Sequence, residues 1–321
     1  MVEDNFEITE ETEIYSLDIN KDSTYIIYGG KDDKCRILDF NTLEEKYIID
    51  IFKDSIQHVN FLDNDHFIVV TLDGAFMEYK IINENLQVIR EEKIKNDVST
   101  VCNLDKKIAI GTNVGEIYYY NNDFEMVFSN HSSEILELKI HENFLFSLSV
   151  DALIVYNLDS FSLHRRIGIR NIENFHITNF QNIFLLSFND HIKILKRNEI
   201  LQRIDMKGKP LCFLNSDDLV FVGCDTKYIC LLNFKANVNT FYIDCVDGEE
   251  DIEGITHIKI INSFFIVFST LCGKIGFGDF RDKNTFLYQK CCEGVILSFE
   301  IRDNIIFWYG ESGFGVLELQ N

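Results

Sequence analysis

A unit of about forty residues recurs along the whole chain, and this recurrence limits the possible folds more than any other feature. Each copy opens with a short apolar strand and runs through a gap into a second strand ending in small or polar residues. A tight turn follows, then a third, alternating strand. The first copy reads IYSLDIN (14–20), TYIIYGG (24–30) and KCRILDF (34–40). The second reads IQHVNFL (56–62), HFIVVTLDG (66–74) and AFMEYKI (75–81), and the third VSTVCNL (98–104), KIAIGTNVG (107–115) and EIYYYN (116–121). First strands begin near residues 14, 56, 98, 135, 173, 211, 255 and 295, a spacing of 37 to 44. A fourth apolar stretch fills each interval, as in KYIIDIF (46–52), LQVIRE (86–91) and FYIDC (241–245).

Four alternating strands per unit is the pattern of a propeller blade, whose sheet is packed between its neighbours. A sandwich would not hold one four-strand cadence through eight cycles, and solenoid coils are shorter. The expectation is therefore an all-β, eight-bladed β-propeller forming a single domain over residues 1–321, with seven blades as the alternative count. Only four Ala occur, which removes the best helix former, whereas 28 Phe and 13 Tyr favour strands. The segment NFEIT (5–9) precedes the first inner strand and has no hairpin partner of its own. It is predicted to close the last blade as its outer strand, after Phe314 to Leu319, which removes an open edge.

Chemistry of other kinds finds no support in the sequence. The nine Cys are odd in number and scattered through apolar runs, as expected of buried thiols in a reducing cytosol. The vicinal Cys291 and Cys292 lack a CxxC spacing or a nearby His. GKIGFG (273–278) lacks the spacing and following helix of a dinucleotide fingerprint, and there is no phosphate loop or nucleophile elbow. No apolar run reaches about 18 residues, so no membrane span is expected. No catalytic residue, metal or cofactor is assigned, and the expected role is binding.

The formal charge of −22 argues against nucleic-acid or anionic-membrane partners, which need a basic footprint. In a propeller, loops from outer strand to next inner strand share one end with the turns between second and third strands, and such loops bind partners. That end receives Asp32, Asp33, Asp54, Asp73, Asp97, Glu134 and Asp225, and the insertion VDGEEDIEG (246–254) with Glu249, Glu250, Asp251 and Glu253. Glu10, Glu11, Glu13, Glu173 and Glu311 fall there too. Turn hydrogen bonds would account for Asp32, Asp73 and Asp225, and a solvated loop for the 247–253 run. The sharper expectation is an acidic rim on a monomer that captures a Lys/Arg-rich protein segment with steep salt dependence.

The units resemble WD repeats in degenerate form. In that family an Asp in the turn before the third strand lies six positions ahead of a Trp, usually followed by Asp. Here Asp32 lies six before Leu38, which Asp39 follows; Asp73 lies six before Tyr79, and Asp225 six before Leu231. Gly278-Asp279 keeps the Asp without the Trp, and the sole Trp308 falls in the second strand of the last unit. The Gly-His pair of the family is missing, although His131 stands near the expected place of its His. The resemblance implies that these residues form buried hydrogen bonds tying turn to strand, with no catalytic role.

A narrower resemblance covers the first two units. YGGKDDKCRILDF (28–40), followed by FKDSIQHVNF (52–61), is similar to the opening blades of the angio-associated migratory cell protein family, with its Gly-Gly-x-Asp-Asp-Lys turn and later Lys-Asp-Ser. That resemblance implies a dedicated chaperone, cytoplasmic or also nuclear, that binds the N-terminus of a basic large-subunit ribosomal protein on an acidic face during ribosome biogenesis. The acidic N-terminal extension common in that family is nearly absent here. The alternative is a generic WD-repeat scaffold within a multiprotein complex, of the ubiquitin-ligase adaptor or trafficking type.

Overall fold

A computed structural model describes residues 6–8, 12–121, 123–168, 170–178, 183–196, 199–234, 239–247, 250–251, 253–262, 264–282 and 286–319. They build eight four-stranded antiparallel sheets, the blades of an eight-bladed β-propeller, with no helix among the described residues. Inner strands begin at Ile14, Ile56, Val98, Ile135, Asn174, Pro210, Ile255 and Ile296, each within one residue of the expected position. In all but the fifth blade the second inner-strand residue is bulged, as at Tyr15, Gln57, Ser99 and Leu136. A bulge leaves that residue out of the ladder and re-aims its side chain.

The chain divides into two compact units. Residues 12–171 hold blades one to four, and their cores lie between successive sheets. Ile27, Cys35 and Ile37 of blade one meet Val59, Phe67, Val69 and Tyr79 of blade two. Ile68, Val70 and Phe76 meet Ile108, Ile110 and Tyr120 of blade three, whose Ala109, Ile117 and Tyr119 in turn meet Leu138, Leu145 and Tyr156. With both faces covered, a second strand such as His66–Thr71 is buried at every residue after the first. Each buried Ile or Phe contributes about 1.5–3 kcal/mol, so apolar runs rather than local propensity fix these strands.

Residues 1–11 and 172–321 form the other unit, with blades five to eight. Ile183, Leu185 and Ile194 pack on Val220, Val222 and Leu232, and Phe221 and Ile229 on Ile258 and Phe268. Val267 and Ile275 pack with Phe299, Ile306 and Trp308. Phe6–Ile8 completes the last blade beside Gly313–Glu318 in the register Phe6↔Val316, Glu7↔Gly315, Ile8↔Phe314. This is the closure expected from the sequence, although residues 5 and 9 lie outside the described residues. On its other side Gly315 pairs with Trp308, which sets it against the indole: a Cβ there would fall 2.2 Å from Cζ2 of Trp308.

None of the nine cysteines is joined in a disulfide. Burial pushes Cys102, Cys212, Cys230 and Cys245 up to about 12, so they stay protonated and unreactive. Cys291 and Cys292 are core residues between blades seven and eight. Among the described residues no cluster of His, Cys, Asp or Glu is arranged to hold a metal.

Candidate functional site

One backbone hydrogen bond recurs at the same end of blades one, two, three, six, seven and eight. The first turn residue after a second strand donates to the carbonyl of the residue before the inner strand. Lys31 donates to Glu13 (3.0 Å), Leu72 to Ser55 (2.9 Å) and Asn113 to Asp97 (3.0 Å). In the other unit Asp225 donates to Lys209 (2.8 Å) and Glu311 to Val295 (3.1 Å). Turn and entry loop therefore share an end, and the acids assigned to loops from sequence lie in these segments. The turns are capped locally: Thr71 and Thr112 accept from the amides of Ala75 and Glu116 at 2.9 and 3.1 Å. The turn then needs a positive φ, supplied by Gly74 (89°) and Gly115 (88°), and in blade one by Asp33 (62°). Asp is among the few non-glycine residues that tolerate this region, so Asp33 has a conformational role.

The acids of blades one to four divide into committed and uncommitted groups. Asp32 pairs with Arg36 at 2.6 Å, and Arg36 also lies over the Tyr28 ring. Asp73 accepts from Thr71 and pairs with Lys93, both at 2.6 Å. Burial raises the Asp73 carboxyl, but these partners outweigh it and hold it below the usual carboxylate range. Glu13 is likewise lowered by Lys31 and, second, by the Tyr15 hydroxyl. In contrast, Asp33, Asp54, Asp97 and Glu134 have no cationic partner among the described residues. Asp54 only accepts from the Ser55 amide (2.8 Å) and Asp97 from the Asn113 side chain (3.1 Å), while Glu134 stands exposed.

Apolar side chains share these ends. Ile51 precedes the second inner strand, Val114 and Val150 sit in the turns of blades three and four, and Leu136 is the bulged residue of blade four. All four are exposed, Ile51 at 62%. Ser99 donates to the Ile135 carbonyl at 2.7 Å and Ser133 lies 2.8 Å from Ser149, which joins these segments across blades three and four.

In the other unit Asp225 accepts from the Lys209 amide at 2.7 Å, and Glu173 pairs with Lys209 at 2.9 Å. Glu311 accepts from the Val295 amide. The acidic insertion forms a small hairpin, Val246–Asp247 against Glu250–Asp251, where a loop was the simpler reading. Glu253 is exposed, and Glu10, Glu11 and Glu249 lie outside the described residues.

Sequence reasoning missed Asp151. It receives Arg166 and lies 3.5 Å from Nδ1 of His131, whose Nε2 is 2.8 Å from the Ser147 hydroxyl. Burial lowers the His131 imidazole below its ordinary value against the opposing pull of Asp151. Ser147 is fully buried, so no substrate reaches it, and the trio ties loop, strand and turn together. Aligning Ser149-Val150-Asp151 with Thr71-Leu72-Asp73 would have revealed it. Also unforeseen is buried Glu78, which meets His66 at 2.6 Å and accepts from the Tyr120 hydroxyl at 2.7 Å.

The family model of the WD40-like domain matches residues 12–317. No curated protein matches the sequence. Similar solved structures include Sqt1 of Saccharomyces cerevisiae, 12% identical with a TM-score of 0.81, covering 99% of this chain and 98% of that one. Sqt1 of Chaetomium thermophilum bound to the N-terminus of the ribosomal protein L10 is 14% identical with a TM-score of 0.80, covering 98% of each chain. The computationally designed Ika8 protein is 14% identical with a TM-score of 0.81, covering 97% of this chain and 98% of its own. A likeness shared by a designed protein and a ribosomal-protein binder is one of fold. With the repeat matched from the first inner strand into the last blade, the chain belongs to the WD40-like domain family.

Proposed function

We propose that this chain is a non-enzymatic binding protein, a dedicated chaperone whose loop ends in blades one to four hold a basic segment of a large-subunit ribosomal protein. The observation behind this reading is the company of Asp54, Asp97 and Glu134, which lack cationic partners, with exposed Ile51, Val114, Leu136 and Val150. An exposed ion pair yields only about 0.2–1 kcal/mol, so carboxylates alone bind weakly. Apolar anchors add about 25 cal/mol per Å² removed from water. The fitting client alternates Lys or Arg with apolar residues. Sqt1, similar in fold, is bound to the N-terminus of the ribosomal protein L10 in one structure, which supports a client of that class. The chain works as a monomer in the cytoplasm, without nucleotide, and releases its client at assembly.

Affinity purification followed by mass spectrometry tests the reading. Recovery of a basic ribosomal protein in a one-to-one, salt-labile complex is expected. Recovery of a defined multi-subunit assembly without any ribosomal protein would overturn it in favour of a scaffold.

A further inference from the structure

We propose that Tyr228 and Tyr242 form a cation seat, occupied at rest by the chain's own Lys207, which a lysine or arginine side chain of a basic protein partner takes over. The identity of the incoming cation rests on the function proposed above; the seat itself does not.

Lys207 lies in the loop between the outer strand Glu199–Asp205 and the inner strand Pro210–Ser216. Its ammonium sits 4.3 Å from the Tyr228 ring centroid and 4.6 Å from that of Tyr242. The rings meet edge to face, with centroids 6.0 Å apart at 78°. Tyr228 opens the third strand of blade six, and Tyr242 lies in its outer strand, paired with Cys230. The Tyr242 hydroxyl donates to the Asp205 carbonyl at 3.2 Å, so backbone holds this ring whether or not Lys207 is present.

Two observations mark Lys207 as a replaceable occupant. In a chain of net charge −22 it makes no ion pair among the described residues, although Asp205 is close in sequence and Asp225 reaches the same loop through the Lys209 amide. Asp205 is engaged by Arg203, and Asp225 by the Lys209 amide. Lys207 is also exposed, and a cation–π contact at an exposed site is weak. Displacing it costs little, and its ammonium returns to water. An arginine would profit more, because a guanidinium stacks on an aromatic face and is less strongly hydrated than an ammonium. Lys227 flanks the seat, 5.8 Å from the Tyr228 centroid, but is held by Asp244 at 3.3 Å and is not free to fill it. The plug thus sets a threshold: a lone amine must compete with a tethered one, whereas a segment gripped elsewhere has the local concentration to win.

The test uses the full chain, two probes and three variants. The ε-methylene protons of Lys207 should be shifted upfield by the rings in NMR spectra, and a peptide of alternating lysine and leucine should relieve that shift as it binds. Lys207→Gln should bind the peptide about fivefold more tightly than Lys106→Gln, an equal charge change at an exposed hairpin lysine outside the proposed site, the gain being about one cation–π contact. Tetramethylammonium should perturb the tyrosine resonances of Lys207→Gln, perturb those of wild type less, and leave Lys207→Gln combined with Tyr228→Leu unresponsive. Peptide binding with the Lys207 shift unchanged and the two lysine variants equal would overturn the seat while leaving the proposed function standing. Tetramethylammonium binding to Lys207→Gln without peptide binding to any form would overturn the basic partner and retain the seat. Equal tetramethylammonium responses in wild type and Lys207→Gln would show that no plug exists.

Discussion

His131 Nε2 lies 2.8 Å from the Ser147 hydroxyl, joining the loop that enters blade four to that blade's second strand. Other blades meet the same need with different chemistry. Asp73 holds Lys93 on an outer strand, and Asp32 holds Arg36 on a third strand. Replacing His131 by Ala leaves the buried Ser147 hydroxyl unpaired, which costs about 1–3 kcal/mol. Urea unfolding should show a lower midpoint, whereas His131→Gln, which can still reach the hydroxyl, should recover part of the loss.

Committed and uncommitted carboxylates should respond in opposite ways. Lysine at Asp54, Asp97 and Glu134 together should abolish binding of a basic peptide with thermal stability nearly unchanged, since surface substitutions usually stay within about 0.5 kcal/mol. Asp73→Asn should instead lower stability while leaving most of the affinity. Isothermal titration across a salt series checks both: wild-type affinity should fall steeply with salt, and the triple variant should show no slope. Retained binding by the triple variant would place the site elsewhere.

Two half-buried histidines give stability a pH dependence of known sign. Burial lowers His58 and His257 from the ordinary value to about 4; Asn103 opposes the shift at His58, and nearby Lys259 adds to it at His257. Both are neutral in the folded chain at pH 7, whereas the unfolded chain binds protons as pH drops through about 6.5. Their contribution is fully present above about 6.5 and is lost as pH falls toward about 4. Melting temperatures from pH 7 to 4 should decline, and less steeply in His257→Gln. An unchanged slope in that variant would assign the decline to other groups.

Gly315→Ala should be among the more damaging single-methyl additions. Its Cβ would enter the Trp308 ring, and overpacking of this kind costs about 1–3 kcal/mol. Fluorescence of Trp308, the sole Trp, reports the change directly, with red-shifted emission expected if the last blade loosens.

Fold and site differ in how much of them the sequence makes legible. Inner-strand starts were readable within a residue because all but the fifth open on a buried apolar residue, such as Ile56 or Ile255, that heads an alternating strand. The terminal strand was readable because NFEIT had no local partner. The state of each acid was not readable. Asp73 is neutralised by Lys93, which is brought over it only by strand pairing, and Asp151 by Arg166 in the same manner. Val114 and Val150 stand singly in turns, where an apolar residue has no period to mark it. The seat around Lys207 depends on register, since Tyr242 reaches the ring of Tyr228 only because it pairs with Cys230.

The pairing of Phe6–Ile8 with Gly313–Glu318 has a consequence for how the molecule is made. Phe6–Ile8 leaves the ribosome well before Gly313–Glu318, so it can find its place only after that strand has followed it. Throughout synthesis the eighth sheet is incomplete: Phe6–Ile8 waits without its partner, and the outer edge of Gly313–Glu318, paired on its other side with Ile305–Gly310, stays open until that strand docks. Such an edge invites pairing with other chains. The loop to be closed spans almost the whole sequence, although its entropic cost grows only slowly with length. A protein proposed to guard a newborn client therefore passes through an unguarded interval of its own, ended when Phe6–Ile8 pairs with Gly313–Glu318.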